Sequence, residues 1–220
     1  MCGRFGLYLE SGIFNRFNIT DDQVDVPTNY NIAPGMTTFV VTKNSPNRGE
    51  LMRWGLIPPW SKDIKIGFKM INARAETILE KPSFKKPFMS KRCLVPFNCF
   101  YELKQEGKEK TPNLFHDTEH KYLAFAGLYE VAHDADGKEI KSFTIITTKA
   151  NKSMGGIHER MPVILSPEEE SIWLDHDTQI EDLLKLLDGY TSKTFKHYEV
   201  SSKVNSASNN DPSLLECIGS

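Results

Sequence analysis

The chain lacks most of the signals that assign a class at first reading. No apolar run approaches the ~20 residues a membrane span needs. The first residues, Met1 to Glu10, have neither a charged leader nor an apolar core, so no secretory signal is expected. An excess of one charge is missing too. The 27 Lys and Arg stand against 29 Asp and Glu, a net of −2, which on its own carries no footprint of a nucleic-acid partner. Cysteine is scarce, and none of Cys2, Cys93, Cys99 and Cys217 forms a Cys-x-x-Cys pair. That argues against a zinc ribbon or a thioredoxin-like motif, and the thiols are expected to stay reduced in a cytoplasmic protein. There is no Gly-x-Gly-x-x-Gly and no Walker loop, and Gly155-Gly156 reads as a turn. His116 and His120 have the spacing of a helical metal pair. The residues between them do not fit His-Glu-x-x-His, and their context reads as a turn between strands. No metal and no cofactor are expected.

What is present describes one folded domain over residues 1–220. Hydrophobic residues make up 39% and charged residues 25%, which argues against disorder. Strands are expected at Thr37–Thr42, Glu50–Trp54, Cys93–Val95, Phe100–Lys104, Asn113–His116, Tyr122–Val131, Lys141–Thr148 and Phe195–Val200. Asp136-Gly137 and, more weakly, Glu106-Gly107 mark hairpin turns. A short helix is expected after Ser11-Gly12. Ser166-Pro167-Glu168-Glu169 has the residues of a capping box and opens a helix running to about Asp175, and a further helix covers Ile180–Leu187. The expected fold is α+β: a curled, mostly antiparallel sheet or barrel-like core with peripheral helices. Residues 205–220 read as a loose polar tail. The long non-strand stretch Leu56–Ser90 is the kind that carries function.

The balanced charge hides two opposed blocks. From Arg53 to Arg92 there are ten basic and three acidic residues, a net of +7, interleaved with Trp54, Trp60, Phe68, Phe84 and Phe88. From Ser166 to Tyr190 eight acids stand against one base, a net of −7. Cations beside aromatics suit a single-stranded nucleic acid, with phosphates on the charges and bases on the rings.

Four stretches are hard to explain by packing alone. Met1-Cys2-Gly3-Arg4 would expose an α-amine and a thiol on one residue once Met1 is removed. With reference pKa values of ~7.7–8.0 and ~8.5, both groups are partly nucleophilic near neutrality. Such a 1,2-aminothiol condenses with an aldehyde and closes a thiazolidine ring. Ile71-Asn-Ala-Arg-Ala-Glu-Thr77 holds Asn72 and Arg74. Phe100-Tyr-Glu102 sets a carboxyl group beside an apolar run. Gly156-Ile-His-Glu-Arg-Met-Pro-Val163 places His158 and Arg160 before a strand.

With Tyr-Asn-Ile-Ala-Pro, Arg-Trp-Gly-Leu-Ile-Pro-Pro-Trp and Arg-Cys-Leu-Val-Pro, these motifs occur in the order found in the SRAP family, the SOS-response-associated peptidases, which the chain resembles from Cys2 to about residue 208. The departures are local: Asn98-Cys99-Phe100 before Tyr-Glu, and Leu103 where the family often has Trp. The resemblance implies a protein that binds abasic sites in single-stranded DNA and crosslinks to the opened sugar. Cys2 would be the nucleophile, Asn72 would orient it, Glu102 would move protons, and His158 would act as acid–base in sugar opening and crosslink reversal. Arg4, Arg74 and Arg160 would hold flanking phosphates, while Pro34, Trp54, Pro59 and Trp60 would shape the groove. It also implies a lyase-like activity, self-processing at Met1, a monomer with no membrane or obligate protein partner, and association with the nucleoid on damaged DNA. Two other readings stand beside it: a cysteine peptidase or amidase using Cys2 with His158 and Asn72, and a non-covalent single-strand binding module.

Overall fold

The computed structural model describes residues 2–9, 12–20, 24–154, 156–188, 190 and 192–218. Met1, Ser11 and Gly155, on which the processing, helix-start and turn expectations bear, lie outside the described residues. In chain order the elements are β1 (Arg4–Leu7), α1 (Ile13–Arg16), β2 (Asn29–Ile32), β3 (Thr37–Thr42), β4 (Ser45–Trp54), β5 (Asn72–Arg74), α2 (Pro82–Ser90), β6 (Arg92–Phe97), β7 (Cys99–Glu106), β8 (Glu109–Asp117), β9 (Leu123–His133), β10 (Glu139–Lys149), β11 (Arg160–Pro162), β12 (Ile164–Leu165), α3 (Pro167–Leu174), α4 (Ile180–Lys185) and β13 (Phe195–Glu199). No helix among these residues is long and apolar enough to cross a membrane.

The β-branched run in β10 is the organising strand. It pairs antiparallel with β9 and parallel with β4; β4 pairs with β3, β3 with β6, and β6 with β9. The five strands therefore close on themselves, as the barrel-like reading expects. β5 and β11 attach to the far end of β10, one parallel and one antiparallel. A second sheet, in the order β13-β8-β7-β1-β2, lies beside the ring. Phe5 of β1 joins the two by edge-on contacts with Trp54 and Phe125, at centroid distances of 5.1 and 5.6 Å. Such aromatic contacts add to the area they bury.

The expected turns and caps form for the expected reasons. Gly107 and Gly137 take positive φ at the β7–β8 and β9–β10 hairpins. The Ser166 hydroxyl accepts from the Glu169 N–H, and the Glu169 carboxylate accepts from the Ser166 N–H at 2.8 Å. That reciprocal pair starts α3.

The tail is a correction. It is polar, but residues 204–218 are tied down. The buried Asn31 amide donates to the carbonyls of Val204, Ser206 and Asn209 at 3.1, 2.9 and 3.0 Å. Leu214 is fully buried, and Cys217 forms a bridge with Val200. Polarity signalled looseness; here one buried side chain satisfies the segment's carbonyls, and the Asn210 side chain accepts from the Tyr30 N–H at 2.8 Å.

The basic block divides. Arg92 is buried and donates to carbonyls of Phe88, Trp173 and Asp175, fastening the ends of α2 and α3. Lys91 pairs with Glu130. Lys62, Lys65, Lys69, Arg74, Lys81, Lys85 and Lys86 are exposed.

Candidate active site

The pairing of β1 with β7 sets Arg4 opposite Tyr101, which brings Cys2 and Gly3 alongside Glu102. Cys2 is fully buried. Burial pushes its thiol well above the usual value, and the Glu102 charge raises it further. The Asn72 amide donates to the Cys2 carbonyl at 2.9 Å. Asn72 stands on β5, in register with Ile145 of β10. Its Oδ1 is buried with no hydrogen-bond partner among the described residues.

Glu102 is 5% exposed. Loss of solvent raises its carboxyl above the usual range, and the nearby His158 opposes that rise. The half-buried His158 lies on the loop leading into β11. Its Nδ1 accepts the Arg160 backbone N–H at 2.9 Å. The 2.9 Å contact uses the Nδ1 lone pair and favours the hydrogen on Nε2 over the alternative, an Nδ1–H donating to the Arg160 carbonyl at 3.2 Å.

Cys2, Asn72, Glu102 and His158 thus come from the segment before β1, from β5, from β7 and from the β10–β11 loop to one place. The predicted groove residues divide. Trp54 is 1% exposed and is part of the core. It shapes the site only from beneath, where its indole N–H donates to the Ile71 carbonyl at 2.9 Å and holds the residue before Asn72. Arg160 also points inward. Both of its terminal nitrogens bind the Glu76 carboxylate, at 2.9 and 3.0 Å, and one also reaches the Thr147 carbonyl at 2.7 Å. A guanidinium committed in this way holds structure in the free protein rather than an open phosphate site. Arg4 is half-buried. One Nη donates to the Asn205 carbonyl at 3.0 Å, and the other has no partner among the described residues. It lines a cleft of about 380 Å³ with Gly3, Glu102, Leu103 and Asn205.

Pro59, Trp60 and Arg74 are exposed, Trp60 at 61%. The loop carrying Trp60 folds back so that Gly55, at φ +117°, lies against the Gly67 backbone, where a Cβ would come within 2.6 Å of its carbonyl oxygen. That return places the exposed Phe68 ring beside Gly35, next to Pro34, with the Arg53 guanidinium over it at 5.3 Å.

Glu76, Thr147 and Asn205 were missed in the sequence reading. Glu76 sits inside the Asn72–Thr77 motif, and its spacing from Asn72 was the available signal. Thr147 lay in a strand that reads as pure core. Asn205 lay in the segment taken for tail.

These contacts define a single-domain α+β protein in which Asn72, Glu102 and His158 converge on Cys2. Residues 1–207 match the family model described as SOS response associated peptidase (SRAP), and the chain belongs to that family. It is 47% identical to abasic site processing protein YoqW of Bacillus subtilis (strain 168), over 98% of this chain and 99% of that one. It is 30% identical to abasic site processing protein YMR114C of Saccharomyces cerevisiae, over 98% of this chain and 68% of the relative. A crystal structure of a protein from Bacteroides thetaiotaomicron superposes with a TM-score of 0.90 at 29% identity, covering 98% of this chain and 99% of that one.

Proposed function

We propose that this chain captures abasic sites in single-stranded DNA as a covalent adduct through Cys2, after Met1 is removed. The observation that carries the proposal is the convergence of Asn72, Glu102 and His158 on the chain's second residue. While Met1 is attached, the Cys2 nitrogen is an amide and cannot react. Once freed, the amine adds to the aldehyde of the ring-opened sugar and loses water to give an imine. The thiol then adds to the imine carbon and its proton passes to the nitrogen. The product is a thiazolidine, formed with net loss of one water. Glu102 carries the protons of dehydration and ring closure. His158, with its hydrogen on Nε2, donates to the sugar ring oxygen as it opens. Asn72 fixes the Cys2 backbone and offers its free oxygen to the sugar. Arg4, Arg74 and the exposed lysines meet the phosphates, and Pro34, Pro59, Trp60 and Phe68 meet the bases.

The names of the relatives support the abasic-site reading. A thiolate peptidase is supported less well, because burial and Glu102 both push the Cys2 thiol up, whereas such enzymes need it lowered. The test is to mix protein of confirmed N-terminal mass with an abasic single-stranded oligonucleotide. A heat- and SDS-stable adduct is expected from the wild type and none from Cys2→Ala. Adduct formation by protein with a blocked amine would overturn the proposal.

A further inference from the structure

We propose that Glu76 is a positioning residue: through Arg160 it sets the orientation of the His158 ring. The chain of contacts is short and each link is directional. Glu76 lies in the single turn that directly follows β5, four residues after Asn72. Its two oxygens accept from the two terminal nitrogens of Arg160, a planar fork that fixes the guanidinium in both position and rotation. The same guanidinium donates to the Thr147 carbonyl at 2.7 Å and to the Thr147 hydroxyl at 3.2 Å, so it is anchored to β10 as well. Arg160 is thus held at its guanidinium, while its backbone pairs with Lys149 of β10. Its N–H then meets His158 Nδ1 at 2.9 Å.

β5 and β11 lie on opposite edges of β10, each joined to it by only three residue pairs. The loop before β11 is held at its base by this short pairing and by the Ala150 N–H donating to the Glu159 carbonyl at 2.9 Å. The Glu76–Arg160 pair crosses that end of β10 and ties the strand bearing Asn72 to the loop bearing His158. Arg160 has an 11% exposed side chain, and Glu76 a 39% exposed one. The acid therefore stands at the solvent side of the pair, and losing it leaves the arginine without an anion and the loop without its brace. The inference rests on the acid–base role proposed above for His158, but its structural core does not need that role.

The test uses Glu76→Ala and Glu76→Gln in the full chain with three readouts. The first is the pair of His158 ring-nitrogen NMR resonances in the free protein. The second is affinity for an intact single strand. The third is the single-turnover adduct rate at saturating abasic strand. In the wild type the neutral ring is expected as the Nε2–H tautomer. In Glu76→Ala the resonances should shift toward a mixture, and the adduct rate should fall on the order of 10- to 100-fold, the scale of a misplaced catalytic group. Intact-strand affinity should stay equal or tighten, because a negative charge has left a basic surface. Glu76→Gln keeps one acceptor and should fall between; it also serves if the alanine variant does not fold. Unchanged His158 resonances in both variants overturn the inference, as does a fall in affinity that matches the fall in rate. Shifted resonances in a protein that forms no adduct even as wild type would uphold the positioning role and sink the proposed function.

Discussion

Arg16–Glu170 and Arg160–Glu76 are both two-bond arginine–glutamate pairs, with contacts of 2.6–2.7 Å in one and 2.9–3.0 Å in the other. Their surroundings invert the chemistry. Glu170 has an 8% exposed side chain, and burial raises its carboxyl despite the arginine. Glu76 is 39% exposed, and the hydrogen bonds from Arg160 hold its carboxyl below the usual range. The first pair fastens α1 to the first turn of α3, on the wall of a 550 Å³ cleft. The second lies beside four converging side chains. The larger cleft is the more conspicuous concavity, yet polar convergence, not size, marks the place where chemistry is expected. The same residue pair is a fastener in one setting and a positioning device in the other.

The largest expected effect is at the site itself. Cys2→Ala should lose the heat-stable adduct completely in a denaturing gel, while its affinity for an intact strand is kept. Persistence of the adduct would place the reactive residue elsewhere. Next is Glu170→Ala, which leaves the Arg16 cation without its acid. It should cost about 3 kcal/mol, or roughly 6–12 °C of melting temperature in a chain of this size. Its adduct rate at low temperature should match the wild type. A lowered rate in a protein of unchanged melting temperature would erase the distinction drawn between the pairs.

Glu102→Gln should separate stability from activity. Because the folded carboxyl is raised, the folded state holds that proton more tightly than the unfolded chain does. The group's contribution is therefore fully present below the ordinary carboxylate value and is lost as pH rises through the raised one. The glutamine variant should melt a few degrees higher at pH 8, lose that advantage as the pH nears 4, and crosslink slowly throughout. A variant less stable at every pH would show that the carboxylate supports the fold. The smallest effect should come from Lys69→Ala on the exposed basic surface. Intact-strand affinity should fall slightly at all sequences, and the slope of log affinity against log salt should shrink by about 1. An unchanged slope would remove Lys69 from the footprint.

Much of the fold was legible because its signals are local. The β-branched run of β10, the glycines of two hairpins and the capping box at Ser166 each act within a few residues. Elements that depend on distant partners were not. β5 is three residues long and exists because β10 lies beside it. β1 contains glycine and arginine, and α2 carries Pro87 within it, which reads as a breaker. The candidate site was legible as a set of motifs, and the structure brings Cys2, Asn72, Glu102 and His158 together. Side-chain direction was not legible. Trp54 and Arg160 belong to the motifs but turn inward, for reasons that lie in Ile71 and Glu76 rather than in their own neighbours.

The docked segment after β13 has a consequence in time. The carbonyl that holds Arg4 belongs to Asn205, and the Asn31 amide that pins this segment waits for Val204, Ser206 and Asn209. A chain synthesised through β13 but no further thus carries its cysteine without the groove around it. Arg4 gains its anchor only as the docked segment emerges, so closing the site joins residues 201 positions apart.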